Sequence, residues 1–270
     1  MSAQEKFSSA VNSGKHICVG LDTDITKIPS YLHKCSDPIF EFNAAIIEAT
    51  SELAAAYKIN LAFYERYGIS GIESMLKTIE AIPNHIIVIG DGKRNDIGNT
   101  AAQYVISLYD QYEFDCATVN PYMGSDSVMP FLDYKDKISF ILTLTSNPGA
   151  SDFEKLILSN GKPMYQTVLE KINLWNSNAN CGSVFGATQI EELKECAGML
   201  KNLYTLVPGV GAQGGDLKSV LGVFKQTDNR NFIINMSRNI IYADSGEDFA
   251  DHSNKVLLKV NSEVEEFYYN

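Results

Sequence analysis

The most chemically suggestive part of the chain is the charged segment Asp91-Gly-Lys93-Arg-Asn-Asp96, directly after the apolar run 85–90. On an extended strand end, positions two residues apart point the same way, so Asp91 and Lys93 are expected to share a face. A carboxylate within about 4–6 Å favours the charged form of an ammonium group. The spacing favours a protonated and firmly placed Lys93. A capping acid beside a surface ion pair is the alternative explanation.

A second lysine, Lys58, lies in the middle of the apolar run 56–62. Lysine is almost never fully buried unless it is paired with an acid, so this position indicates a pairing with carboxylates. We therefore predict an alternating array of lysines and acids at one strand end, where barrels of this kind place their chemistry. Its members are Lys58, Asp91, Lys93 and Asp96.

A glycine-rich loop at 208–216 is the second chemical signal, because it follows another apolar run and precedes a helical pattern. Exposed amides and helix N-termini attract phosphate, and barrels often bind phosphate with the loops after strands seven and eight. Arg238 begins the second of those loops, and a guanidinium can hold phosphate through two hydrogen bonds. The pattern predicts a phosphate site here, with tight-turn geometry as the alternative explanation of the glycines.

Other polar residues stand at or just beyond the ends of the apolar runs, where barrel enzymes place their chemistry. They are candidate substrate-binding residues. They are Asp22, Asn60, Thr100, Ser146 and Gln213.

The elements that must position these residues are short apolar runs separated by helical patterns. Most runs are continuous rather than alternating, which suits parallel strands buried on both faces. Strand–helix alternation repeated eight times predicts a single-domain (β/α)8 TIM barrel over residues 1–270, with 1–14 as a short N-terminal extension. A doubly wound open sheet is the alternative. The predicted strands are 16–21, 56–62, 85–90, 116–120, 138–144, 183–187, 203–207 and 231–235.

Composition excludes several classes of protein. The net charge of −11 argues against a nucleic-acid-binding face, and the chain has no apolar run of 18 residues that could span a membrane. The N-terminus lacks the apolar segment of a secretory signal, so a cytoplasmic location is expected. The five cysteines and four histidines show no metal-ligand spacing, so no metal site is predicted.

At this point the chain resembles the orotidine 5′-monophosphate decarboxylase family over nearly its whole length. The motif Asp91-x-Lys93-x-x-Asp96-Ile-x-x-Thr100, preceded by Lys58, carries the resemblance, and GVGAQGGD and SRNIIYA add independent matches. The likeness is greatest to the subgroup with a VGLD first strand and an AYK-x-N second strand. Asn95 and Asn239 stand where related chains often have glycine, which asparagine can replace in left-handed turns.

The resemblance implies a cofactor-free conversion of orotidine 5′-monophosphate to UMP and carbon dioxide, a step of de novo pyrimidine synthesis. Lys93 would protonate C6 of the pyrimidine, and Asp91 would lie beside the substrate carboxylate. The resemblance also implies a homodimer in which Asp96 and Thr100 reach into the partner's active site. Lys58 and Asp96 would complete the charge array and contact the ribose.

The remaining implied roles concern the rest of the nucleotide. Asp22 and Asn60 would bind ribose hydroxyls, and Ser146 would read the amide edge of the pyrimidine. Gln213 and Arg238 would hold the 5′-phosphate. Because binding energy from the phosphate can drive loop closure, we expect the segments 205–216 and 147–165 to move when substrate binds.

Two other functions remain as alternatives. A metal-assisted phosphosugar barrel of the hexulose-phosphate type shares the Asp-x-Lys-x-x-Asp element, but a lysine at position 58 would repel the metal that such enzymes bind. A catalytically silent nucleotide-binding barrel would keep the fold without the reaction, since fold alone does not establish function.

Overall fold

The computed structural model describes residues 1–211 and 213–269, and these form one closed parallel barrel of eight strands in sequential order. Every strand pairs with its neighbours along the chain, and β8 closes the ring by pairing with β1. The strands are β1 Ile17–Gly20, β2 Ala56–Asn60, β3 Ile87–Arg94, β4 Cys116–Val119, β5 Ile138–Leu144, β6 Cys181–Phe185, β7 Tyr204–Pro208 and β8 Phe232–Met236.

Helices surround the barrel and connect its strands. The larger ones are α1 Ala3–Asn12, α2 Pro38–Thr50, α4 Gly68–Ala81, α5 Gly98–Val105, α6 Ser125–Leu132, α8 Met164–Trp175, α9 Ile190–Leu200, α10 Leu217–Gln226 and α12 Phe249–Val264. Single turns form α3 Ala62–Glu65, α7 Ala150–Phe153 and α11 Arg238–Ile241, and 3-10 turns span Ser30–Lys34 and Asn176–Asn178. The chain continues in π-helical geometry after α5, at Ile106–Gln111, and after α12, at Glu265–Tyr269.

The sequence-based prediction of a single (β/α)8 barrel is confirmed, and the alternative of an open sheet is wrong, because β8 pairs with β1. All eight predicted runs coincide with strands, although β6 begins two residues before its predicted run at 183–187. The strands consist of apolar, often β-branched residues and are buried on both faces, as parallel barrel strands must be.

Apolar side chains form two buried layers, one between the barrel and its helices and one inside the barrel. The interior layer includes Phe7 of α1, whose ring packs edge-on against Tyr204 at 4.8 Å between centroids. Lys6 of the same helix pairs with Asp115, just before β4, at 2.8 Å. The predicted extension at 1–14 thus closes the N-terminal end of the barrel, opposite the strand ends that carry the polar residues.

Strand β3 extends beyond its predicted run and carries Asp91 and Lys93 within it. Its pairing with β4 changes register between Gly90 and Arg94. Lys93 adopts φ +46°, which is uncommon for a residue with a side chain and is frequent at functional sites. The irregular end of β3 is therefore where the fold departs from regular strand geometry to position a side chain.

Candidate active site

The carboxyl ends of the strands surround an open cavity of about 470 Å³. It lies where barrel enzymes place their active sites, at the end opposite α1. Seven of the ten predicted site residues line it. They are Asp22, Lys58, Asn60, Asp91, Lys93, Ser146 and Gln213.

Two lysines and two acids form a continuous chain of ion pairs at the base of this cavity. Asp91 Oδ1 lies 2.7 Å from Lys93 Nζ, and Asp91 Oδ2 lies 3.1 Å from Lys58 Nζ. Lys58 Nζ also contacts Asp22 Oδ1 at 3.2 Å. The side chain of Lys58 is 4% exposed, whereas that of Lys93 is 48% exposed. The array therefore has a buried lysine at its centre and a second lysine that faces the open cavity.

Lys58 and Asp91 hold each other in the ionised state. Burial alone would lower the pKa of Lys58, but the carboxylates of Asp22 and Asp91 outweigh burial and raise that pKa above its ordinary value. Burial would raise the pKa of Asp91, yet the two lysines and a hydrogen bond from Thr118 bring it well below its usual range. At neutral pH Lys58 is therefore an ammonium group and Asp91 a carboxylate.

Thr118 of β4 connects Asp91 and Lys93 of β3 through hydrogen bonds that the sequence analysis did not predict. Its Oγ1 donates to Asp91 Oδ1 at 2.8 Å and accepts from the backbone N–H of Lys93 at 2.9 Å. The hydroxyl thus fixes both the carboxylate and the left-handed backbone that follows it. Its place near the end of a predicted strand was the available signal, but threonine is common in strands.

Asp96 and Thr100 do not line the cavity of this single chain. Asp96 is partly buried, and its Oδ1 accepts from the backbone N–H of Ile97 at 2.8 Å. Thr100 is exposed in the first turn of α5. Within one chain, the second acid that pairs with the lysines is Asp22 and not Asp96.

Ser146, after β5, and Gln213, after β7, meet across the cavity mouth. Ser146 Oγ donates to Gln213 Oε1 at 2.5 Å. This contact requires a residue without a side chain at position 209, where φ is +103° and a Cβ would lie 3.0 Å from Gln213 Oε1. Two residues predicted to contact different parts of a nucleotide are therefore direct neighbours in the structure.

The predicted phosphate site consists of the 208–216 loop and the start of the loop after β8. Arg238 is exposed and begins α11 immediately after Ser237, although it does not line the cavity. Asp216 caps α10 by accepting from the backbone N–H of Ser219 at 2.7 Å. Ala212, inside the same loop, lies outside the described residues.

Other cavity-lining residues were not predicted. They include the apolar Leu142, Val184 and Leu206 and the polar Asn147 and Asn235. Among the described residues, no group of three or more His, Cys, Asp or Glu side chains is arranged to hold a metal ion. No helix in the described part of the chain is long and apolar enough to cross a bilayer.

A closed parallel barrel with charged residues and a cavity at the carboxyl ends of its strands has the architecture of a (β/α)8-barrel enzyme. Residues 15–251 match the profile of the orotidine 5′-phosphate decarboxylase / HUMPS family. The chain belongs to this family.

Individual relatives agree with this assignment. The orotidine 5′-phosphate decarboxylase of Herpetosiphon aurantiacus is 45% identical over 93% of this chain and 94% of that protein. The structure of Leishmania donovani OMP decarboxylase superposes with a TM-score of 0.84 and 33% identity, covering 98% of this chain and 99% of the other. Leishmania donovani UMP synthase gives a TM-score of 0.86 and 35% identity over 98% of this chain, which spans 57% of that protein.

Proposed function

We propose that this chain is an orotidine 5′-phosphate decarboxylase, a carboxy-lyase that converts orotidine 5′-monophosphate to UMP and carbon dioxide in pyrimidine synthesis. One observation carries the proposal: Lys93 Nζ lies 2.7 Å from the buried carboxylate of Asp91 and faces an open cavity. The names of the curated relatives, at 40–45% identity, support the same reaction. We further assign the chain to the subgroup with a VGLD first strand and an AYK-x-N second strand, because these segments place Asp22 and Lys58 in the array.

The reaction requires stabilisation of a carbanion. The bond between C6 and the carboxylate breaks, its electron pair stays on C6 as carbon dioxide leaves, and a proton from Lys93 Nζ then forms the new C6–H bond. A fixed ammonium group interacts more strongly with C6 as negative charge develops there, so it lowers the energy of the transition state more than that of the bound substrate. The resulting amine regains its proton from solvent.

Asp91 and Lys58 prepare this step. Asp91 holds Lys93 in place through their ion pair. In the proposed complex Asp91 also lies beside the substrate carboxylate, and the two negative charges repel each other. Lys58 lies between Asp22 and Asp91, and its positive charge balances the negative charges of these two acids. Its ammonium group also lies at the cavity wall, where together with Asp22 and Asn60 it can bind ribose hydroxyls.

The distal parts of the nucleotide bind at the opposite side of the cavity. Ser146 reads the amide edge of the pyrimidine, while Gln213 and Arg238 hold the 5′-phosphate together with the glycine-rich loop. Closure of the segments 205–216 and 147–165 over the ligand is part of this proposal. Amide hydrogen exchange in both segments should slow when an inhibitor binds, and equal exchange in the two states would contradict closure.

The proposal includes a homodimer in which Asp96 and Thr100 complete the partner's site. Their absence from the cavity of their own chain supports this arrangement. So does a group of exposed apolar side chains on and around α5 and α6, because large apolar side chains on one surface are typical of subunit interfaces. They are Ile97, Ile106, Tyr122, Met123 and Met129.

The proposed setting is the cytoplasm, without nucleic acid, membrane or a cofactor as partner. The five cysteines are all free thiols, as is usual in a reducing compartment. The net charge of −11 disfavours general contacts with nucleic acid.

The test is the absorbance change on adding orotidine 5′-monophosphate to chelator-treated protein, with wild type compared with Lys93→Ala. Wild type should consume the substrate, and the variant should lose at least about a thousandfold in kcat because both the charge and the proton are removed. Lys194→Ala is a matched control, since that lysine pairs with Glu191 on the surface of α9, and it should retain full activity. Activity that survives in Lys93→Ala would show that another group is the acid.

Two further measurements separate the alternatives. Turnover of a ketose phosphate that depends on added magnesium would favour a metal-assisted barrel, although Lys58 occupies the cavity wall with its charge already paired to two acids. Tight binding of UMP without release of carbon dioxide from orotidine 5′-monophosphate would favour a silent nucleotide-binding barrel.

A further inference from the structure

The turn that carries Ser146 is held by a carboxylate that does not line the cavity. Glu154, directly after α7, directs both of its carboxylate oxygens to Thr145, the first residue after β5. Its Oε2 accepts from the backbone N–H of Thr145 at 2.7 Å, and its Oε1 accepts from the hydroxyl of the same residue at 2.9 Å. Hydrogen bonds to a carboxylate are stronger than those between neutral groups, so this pair fixes both the backbone and the side chain of Thr145.

Two residues after β6 hold the carbonyl groups of the same turn. Gln189 Nε2 donates to the Thr145 carbonyl at 3.1 Å, and Thr188 Oγ1 donates to the Ser146 carbonyl at 3.0 Å. The backbone of Ser146 also packs closely against Gly186, where an added Cβ would lie 2.7 Å from the Ser146 nitrogen. The peptide units around Ser146 are therefore held by hydrogen bonds from both neighbouring connections, the one after β5 and the one after β6.

Glu154 also belongs to the segment 147–165, which is proposed to close over the ligand. This segment leaves the barrel directly after Ser146 and returns to the same turn through Glu154. The next residue, Lys155, pairs with Glu192 of α9 at 2.5 Å. The segment is therefore tied to the barrel at two neighbouring points, and of these two ties it is the one through Glu154 that contacts the turn carrying Ser146.

We propose that Glu154 is a positioning residue for recognition of the pyrimidine, because it places the hydroxyl of Ser146 against the amide edge of the base. This inference rests on the proposed function, because that function supplies the pyrimidine. A hydrogen bond to a ligand contributes most when the protein group is already held in the bound geometry, since little conformational freedom is then lost on binding. Without Glu154, the turn would have to be ordered each time a nucleotide binds, and the affinity for the base would fall.

Calorimetric titration with UMP and with ribose 5-phosphate tests this role in wild type and Glu154→Ala. The two ligands share the ribose and the phosphate, and of the two only UMP has the pyrimidine. The substitution should weaken UMP binding about tenfold, the effect of losing one good hydrogen bond, and should change ribose 5-phosphate binding by less than about twofold. Equal weakening of the two ligands, or no weakening of UMP binding, would overturn the proposal.

Glu154→Gln and Glu192→Ala are the matched variants. The amide of glutamine can accept from the Thr145 N–H and donate to the Thr145 hydroxyl, so Glu154→Gln should keep the UMP affinity within about threefold of wild type. Glu192→Ala removes the neighbouring tie of the same segment and should change the UMP affinity by less than about twofold. A loss in either variant as large as the loss in Glu154→Ala would overturn the assignment.

Ser146→Ala tests whether Glu154 acts through the Ser146 hydroxyl. On its own this substitution should weaken UMP binding about tenfold. Adding Glu154→Ala should then weaken UMP binding by less than about a further twofold, because two residues that act as one unit do not have additive effects. Additive losses in the double variant, or no loss in Ser146→Ala, would overturn the proposal.

A crystal structure of wild type with UMP gives an independent reading that needs no variant. Ser146 Oγ should lie within about 3.2 Å of the pyrimidine N3 or O4 while Glu154 still contacts Thr145, and loss of either contact would overturn the proposal. Wild type that does not bind UMP would contradict the proposed function itself. Binding of UMP together with any of the overturning results would contradict the role of Glu154 and leave the proposed reaction standing.

Discussion

Asp91 and Thr118 determine where the charge of Lys93 lies. Asp91 accepts from Lys93 and Thr118 through one oxygen and faces Lys58 through the other, so the carboxylate has little freedom to rotate. Thr118 also accepts the backbone N–H of Lys93, which adopts the uncommon φ of +46°. In the proposed reaction, an ammonium group placed in this way needs no reorganisation as charge develops on the substrate, and such preorganisation is the main source of electrostatic catalysis.

Thr118→Val should therefore impair catalysis more than binding. Valine matches threonine in shape but removes the donor to Asp91 and the acceptor for Lys93. We expect kcat to fall about 10- to 100-fold, the effect of losing a hydrogen bond to a charged group, while the dissociation constant of UMP changes less. Steady-state kinetics and UMP titration measure the two effects.

Thr143→Val is the control for this experiment, because Thr143 is buried on β5 and its Oγ1 lies 2.8 Å from Ser183 Oγ, away from the ion pairs. It should keep the wild-type kcat. Equal losses in the two variants would mean that Thr118 only supports the barrel.

At the scale of strands and loops, most of the site could be predicted from the sequence because barrel topology brings all strand ends together. Lys58, Asp91 and Lys93 follow from their positions in and after apolar runs, and Asp22 and Asn60 follow from the same rule. Thr118 could not be predicted, since its contacts depend on which atoms meet across neighbouring strands. The register shift at the end of β3 likewise arises from pairing with β4 and has no local sequence signal.

Gly209, in the loop after β7, lies against the two residues that meet at the cavity mouth, and we expect Gly209→Ala to weaken substrate binding. Position 209 has φ +103°, and an added Cβ would lie 3.0 Å from Gln213 Oε1 and 3.1 Å from Ser146 Cβ. The variant should raise KM by about tenfold, because it separates the two residues that meet at the cavity mouth and adds backbone strain of ~1–3 kcal/mol.

Gly14→Ala provides the matched comparison, at the end of the barrel opposite the cavity. Its φ is +79°, so alanine is strained there too, but the nearest atom to the added Cβ would be Tyr269 Cε2, at the ordinary contact distance of 3.8 Å. Thermal melting should show a loss of stability in this variant without a change in KM. A Gly209→Ala variant with normal KM and reduced melting temperature would contradict the binding role of this turn.

For the molecule as a whole, the N-terminal end of the barrel is closed by the two ends of the chain. His16 lies at this closure, fully buried, with Nδ1 donating to the Phe232 carbonyl at 2.8 Å and Nε2 2.7 Å from the Tyr269 hydroxyl oxygen. Burial is the main cause that lowers the pKa of His16 to about 4. The hydrogen bond to the Phe232 carbonyl raises this pKa, and the positive charge of Arg230 lowers it further.

This burial predicts a dependence of stability on pH. Between pH 6.5 and about 4, the unfolded chain binds a proton at His16 that the folded chain does not bind. The contribution of neutral His16 to the free energy of unfolding is therefore fully present above pH 6.5 and is lost as the pH falls towards 4. The loss should reach roughly 3 kcal/mol near pH 4. Urea unfolding across this range measures it, and His16→Gln should show a flatter profile. An unchanged slope in that variant would assign the effect to other groups.

The proposed dimer can be tested by mixing two inactive variants of the subunit. If Asp96 completes the partner's site, Lys93→Ala and Asp96→Ala dimers should each be nearly inactive. A hybrid of the two variants contains one site with both substitutions and one site with neither. Random exchange yields hybrids as half of the dimers, so the mixture should regain about a quarter of wild-type activity. No recovery, with exchange confirmed by native mass spectrometry, would place Asp96 in the site of its own chain.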